Sequence, residues 1–296
     1  MDIVDSQVHL GPGGAAEMVA AMDALGVRSV LIDEWWMGSP GHPAYPVGDG
    51  GFRTASPTAE LASWTYPGRF SYLIRLDRRD PDVRSVVRLA RDAAYVRALR
   101  ISPGMTRAEL ADFAAGAFDA LFAAAADYGF PIFVYLAGHA PLLTRYLQKF
   151  PDLKVIICHC GMPPAGSMLA AVAAAEALPD SADYWTKLSR RPLAETFGSV
   201  LRLADFANVA LKWAHAPLMF DAAGYPNAAT RPFLRQTLDA FGAERVMWAS
   251  DISANQTGET WAELLFALRT NPHLSEPELT QVLGRTARTW LSWDPS

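Results

Sequence analysis

The sequence predicts an α/β protein folded as one (β/α)8 TIM barrel over residues 1–296, and three observations carry that expectation. Short β-branched runs alternate eight times with longer helical patterns. Strict alternation implies a parallel sheet, and eight parallel strands in a chain of 296 residues close most economically into a barrel. The rival, an open doubly wound sheet, lacks its phosphate loop: the first turn reads His9-Leu10-Gly11-Pro12-Gly13-Gly14, without the spacing of a dinucleotide fingerprint.

The expected strands, in order, are residues 3–9, 29–34, 71–76, 98–102, 132–136, 154–159, 208–213 and 245–250. Helix starts are marked chemically. Thr106-Arg107-Ala108-Glu109 and Ser275-Glu276-Pro277-Glu278 have capping-box spacing, and Asp80-Pro81 sets a cap before a proline at the first helical position. Gly26, Gly129 and Gly242 each close an apolar stretch before the next strand. Two connections exceed what a barrel needs, residues 35–69 and 161–207, and both leave C-terminal strand ends, where barrel enzymes build their sites. They carry the aromatics Trp35, Trp36, Tyr45, Phe52, Tyr184 and Trp185 as candidate pocket walls, with His42 and Met162 beside them.

Composition narrows the function. With 26 basic and 31 acidic residues, a net charge of −5 and no block of like charge, neither nucleic acid nor an anionic membrane is an expected partner. No secretory signal precedes the first strand, so a soluble cytoplasmic protein is expected. Cys158 and Cys160, two apart in an expected strand, should share a face as reduced, buried thiols. The C-terminal Trp290-Leu291-Ser292-Trp293 segment makes a homodimer an expectation.

The chemistry gathers at strand ends. Alternation places Asp5, Gln7 and His9 on one face of the first strand, and buried polar groups cost on the order of 2–7 kcal/mol without partners. The sixth strand is an apolar run ending in His159, and the eighth ends in Asp251. His9, His159 and Asp251 therefore converge on the C-terminal mouth, with His215 reaching it from the loop after the seventh strand. Arg75, Arg100 and Lys212 end the third, fourth and seventh strands, and cations there need either a protein carboxylate or an anionic substrate.

These residues carry a family resemblance. Ile3-Val4-Asp5-Ser6-Gln7-Val8-His9-Leu10 resembles the opening strand of amidohydrolase-related proteins, which usually reads Asp-x-His-x-His. The run from Phe150-Pro151-Asp152-Leu153 through His159-Cys160-Gly161 is similar to the family's sixth strand, and Arg245-Val246-Met247-Trp248-Ala249-Ser250-Asp251 to its eighth. Val96-Arg97-Ala98-Leu99-Arg100 resembles its fourth-strand region, with alanine for glycine. Two departures stand out. Gln7 occupies the position of the first histidine, and Phe133-Val134-Tyr135-Leu136 has no histidine where many metal-binding relatives carry one.

The resemblance, so qualified, implies a metal-independent hydrolase of a carboxylated lactone or ester, with no cofactor. Asp251 would be the general base, His159 and His9 would position water or polarise the carbonyl, and Arg75 and Arg100 would hold a substrate carboxylate. Gln7, Lys212, His215, Trp35 and Tyr135 would complete the substrate site. The alternative is a mononuclear decarboxylase or hydratase holding one zinc or manganese ion through His9, His159 and Asp251. A non-catalytic barrel that binds a carboxylated aromatic ligand is the third expectation.

Overall fold

The computed structural model describes residues 1–10, 14–34, 44–164, 187, 190–222, 224–252 and 258–294. Eight parallel strands follow one another around a barrel in chain order. They are β1 (Ile3–Val8), β2 (Val27–Ile32), β3 (Phe70–Arg75), β4 (Val96–Ile101), β5 (Ile132–Val134), β6 (Val155–Ile157), β7 (Val209–Trp213) and β8 (Val246–Trp248). Each overlaps a strand expected from sequence. The ring closes beyond the end of β8, where the Asp251 amide donates to the Gln7 carbonyl at 2.9 Å and the His9 amide to the Ile252 carbonyl at 3.1 Å. Closure removes the open edges that a free sheet would expose.

One residue from every strand fills the barrel: Val4, Leu31, Leu73, Ala98, Phe133, Ile156, Ala210 and Met247. A second, larger apolar layer, including Val8, Val30, Phe70 and Leu211, lies between sheet and helices. The C-terminal segment plugs the end opposite the mouth. Trp290, Leu291 and Trp293 join the interior cluster, Arg288 bonds Asp2 and Ser29, and Trp290 Nε1 donates to the Glu244 carbonyl. The expectation that this segment forms a dimer contact is therefore corrected: its tryptophans are 7% and 2% exposed.

Other local expectations change as well. Strand β6 stops at Ile157, and the next turn sends Cys158 inside the barrel and Cys160 into the outer layer; both thiols are buried, but on different faces. Asp80 does not cap the helix Val83–Asp92. Its carboxylate instead takes a bidentate bond from Arg53 at 2.8 and 2.6 Å, tying down a short antiparallel hairpin, Ala44–Pro46 with Phe52–Thr54. This hairpin and the helix Pro57–Thr65 occupy the first long connection. Its Tyr45 is exposed rather than a pocket wall, whereas Phe52, though exposed, lines a cavity beside Arg75. Trp35, Trp36, His42, Tyr184 and Trp185 lie outside the described residues. Among the described residues no helix is long and apolar enough to cross a membrane.

Candidate metal centre

Asp251 is the hub of the mouth. It follows β8, is 1% exposed, and receives three imidazoles. His159 Nε2 stands 2.8 Å and His215 Nε2 2.9 Å from its Oδ2, while His9 Nε2 stands 2.8 Å from Oδ1. Ligand atoms of His159, His215 and Asp251 all fall within 4.8 Å of one another. The two rings on Oδ2 are nearly parallel, with centroids 5.4 Å apart, and Tyr135 packs edge-on against His159.

Backbone geometry turns these side chains inward. His159, His215 and Asp251 have φ of 52°, 51° and 58°, a left-handed conformation that costs a non-glycine residue on the order of 1–3 kcal/mol. After His159 the turn stays left-handed through Cys160 and Gly161. A Cβ at Gly161 would also lie 2.8 Å from Val200, so glycine is required there twice over. Strain repeated at three converging strand ends marks a site that the surrounding fold holds in place.

The electrostatics follow from burial and neighbours. Burial alone would raise the Asp251 carboxyl, but His215, His159 and His9 hold it well below the usual carboxylate range. Burial pushes the His159 imidazole down to about 3 against the pull of Asp251, so it is neutral, the form that ligates metals. His159 Nδ1 is buried without a hydrogen-bond partner. His9 is held differently. Its Nδ1 lies 2.6 Å from the Asp33 carbonyl, which can only accept, so Nδ1 carries a proton. Nε2 faces Asp251 Oδ1 at 2.8 Å. This donor set, buried and mixed between nitrogen and carboxylate oxygen, fits a zinc-like divalent ion.

The cations at the mouth find a protein carboxylate that sequence reasoning passed over. Asp33, just past β2, takes Arg75 Nε at 2.8 Å and Nη2 at 2.6 Å, and Arg100 Nη1 as well. Burial would raise Asp33, but Arg100 and Arg75 hold it far below the usual range. The signal was available: Asp33 ends an apolar strand as Asp251 does. Lys212, fully buried, does not reach Asp251; its Nζ bonds Gln7 Oε1 and lies over the Phe133 ring. Asp5 Oδ1 accepts from the Gln7 backbone amide at 3.2 Å, but the carboxylate is held chiefly from elsewhere. An irregularity in the β1 pairing between Asp5 and Val8 turns its carboxylate to the Ser250 amide at 3.0 Å and the Trp261 indole at 2.9 Å, and burial lifts its pKa to about 7. Beside Arg75 a cavity of about 250 Å³ opens, lined by Phe52, Phe118 and Ser102 among others.

With this geometry in hand, comparison with known proteins decides the family. The sequence profile of the amidohydrolase family matches residues 4–293. The chain belongs to the amidohydrolase family. This chain is an enzyme of that family. No curated protein matches it. A crystal structure of an amidohydrolase from Burkholderia multivorans with bound zinc is similar at 16% identity, a TM-score of 0.71, and 99% coverage of both chains. A protein from Pseudomonas putida assigned as a 2-pyrone-4,6-dicarboxylic acid hydrolase is similar at 18% identity and TM-score 0.67, covering 100% of this chain and 99% of its own. The 5-carboxyvanillate decarboxylase of Sphingomonas paucimobilis is similar at 16% identity and TM-score 0.60, covering 98% and 99%.

These findings correct two expectations. The reading as a metal-independent hydrolase, and with it the expectation of no cofactor, is overturned by the His159, His215 and Asp251 cluster together with a zinc-bound structure of the same fold. In the cluster His215 stands where the alternative metal reading had set His9, which lies on the opposite carboxylate oxygen.

Proposed function

We propose that this amidohydrolase is a mononuclear, divalent-metal-dependent enzyme that decarboxylates or hydrates a small carboxylated substrate. The observation that carries the reading is the convergence of His159 and His215 Nε2 on Asp251 Oδ2. His159, His215 and Asp251 would hold the ion, leaving a position open as catalytic sites require. A bound divalent ion supplies Lewis acidity toward a substrate oxygen.

The chain's own residues do the rest. Asp33 fixes the His9 ring through Nδ1, so that Nε2 is held at the mouth to carry a proton to or from the reacting atom. Burial of His9, His159, His215 and Asp251 below 10% exposure keeps bulk water from that transfer. Charge favours an anion: among the described residues Arg75 and Arg100 share the one carboxylate of Asp33, Lys212 bonds the neutral Gln7 amide, and a bound ion would add to the positive side. A carboxylated substrate fits that balance, and carboxylated compounds are named for two of the similar proteins.

The test is elemental mass spectrometry of the purified protein, before and after chelation, beside assays of carbon dioxide release and of water addition on carboxylated aromatic and unsaturated acids. About one equivalent of divalent metal, with activity lost on chelation and regained on readdition, is expected. Full activity in metal-free protein would sink the proposal.

A further inference from the structure

Gln7 is the residue at the mouth whose role the metal reading leaves open, and its amide is fully committed. A glutamine amide offers one oxygen with two lone pairs and one nitrogen with two hydrogens. Here Oε1 accepts from Arg100 Nη1 at 2.7 Å and from Lys212 Nζ, which uses both lone pairs. The nitrogen faces Asp251 Oδ1 at 2.5 Å, and also lies 3.4 Å from His9 Nε2. Turning the amide over would set its hydrogens against two cations and its oxygen against a carboxylate, so the two cations fix which end meets Asp251.

We infer that Gln7 is a positioning residue and not a metal ligand: clamped by Arg100 and Lys212, it holds Oδ1 of Asp251 so that Oδ2 is presented to His159, His215 and a single ion. The inference rests on the metal-dependent reading and adds the residue that orients its carboxylate ligand. Gln7 has no lone pair left for a metal, and a second ion beside it would stand against the buried charges of Arg100 and Lys212. Among the described residues Lys212 hydrogen-bonds Gln7 alone, whereas Arg100 has Asp33 as a further partner.

Cobalt(II) is the probe, because its visible spectrum reports coordination. Wild type, Gln7→Met, Lys212→Met and the double variant are loaded with cobalt; bound equivalents, affinity by chelator competition, and spectra are measured. One equivalent is expected in wild type, and a weakening of about 10–100-fold in Gln7→Met, the range for loss of a group that orients a ligand. The spectrum keeps its coordination number, and the double variant binds no more weakly than Gln7→Met, because the two changes are not additive. Should Gln7→Met leave Lys212 stranded and fail to fold, the double variant removes that charge too, and its spectrum decides. A lost ligand in the spectrum or additive losses would overturn this inference alone, whereas two cobalt equivalents in wild type would overturn it together with the mononuclear reading. Wild type that takes up no cobalt would overturn the metal-dependent reading, and this inference with it.

Discussion

His215 and His9 lie almost equally close to Asp251, at 2.9 and 2.8 Å, yet they meet different oxygens and should fail differently when replaced. His215 shares Oδ2 with His159 and belongs to the ligand cluster. His215→Asn should therefore lose bound metal as well as turnover. His9 is tied through Nδ1 to the Asp33 carbonyl and faces Oδ1, which suits a proton carrier. His9→Asn should keep metal near one equivalent while kcat falls about 10²-fold or more, the usual worth of a positioned acid or base. Metal analysis and steady-state kinetics on the same preparations separate the two; equal metal loss in both variants would make His9 a ligand. The sequence revealed the convergence of His9, His159 and Asp251 because His159 and Asp251 each end an apolar strand and His9 ends a row of polar residues on one face of the first. It did not reveal that His215 would share the same oxygen, because that depends on the left-handed turn after β7.

At the scale of elements, periodicity and capping chemistry were legible and local irregularity was not. All eight strands stood out as β-branched runs, and Ser275 with Glu278 forms the full capping box its spacing announces. Thr106 makes half of one, accepting from the Glu109 amide. What spacing could not show is the irregular pairing after Asp5, which breaks the alternation that sequence reading relied on and turns the Asp5 carboxylate to Ser250 and Trp261. Nor could it show that β6 ends before Cys158, where the chain enters the left-handed turn His159-Cys160-Gly161, since the Val200 side chain that leaves no room for a Cβ at Gly161 is distant in sequence. The capping box gives a measurable pH dependence. The Ser275 amide and Arg235 lower Glu278 from 4.5 to about 2, so its carboxylate contributes stability above pH 4.5 that is lost as pH falls through about 2. Ser275→Ala should lower stability by about 1 kcal/mol at pH 7, and denaturant midpoints for the two proteins should draw together in acid. A constant gap across that range would remove Glu278 from the account.

The whole molecule divides its labour between the two ends of the barrel. The mouth carries the strained, charged residues; the opposite end carries the aromatic plug of Trp290, Leu291 and Trp293, over which Arg97 and Arg288 lie. In barrel enzymes the C-terminal face of the sheet serves chemistry and the N-terminal face serves stability. Trp293→Ala should therefore cost about 3–5 kcal/mol, the range for truncating a buried aromatic, and leave metal stoichiometry and KM unchanged. Thermal unfolding and metal analysis check both halves, and a drop in metal content in folded Trp293→Ala would show that the two ends are coupled.

The left-handed backbone at His159, His215 and Asp251 bears on how such a protein could be improved. Those are positions where glycine relieves a penalty that every other side chain except asparagine and aspartate carries in full. At His159 and His215 that relief would come with an emptied reaction centre, and at Asp251 it would be outweighed by the imidazoles and the Gln7 amide left without their carboxylate. Durability and turnover compete here at named codons, so any programme to harden this enzyme must score both in every round.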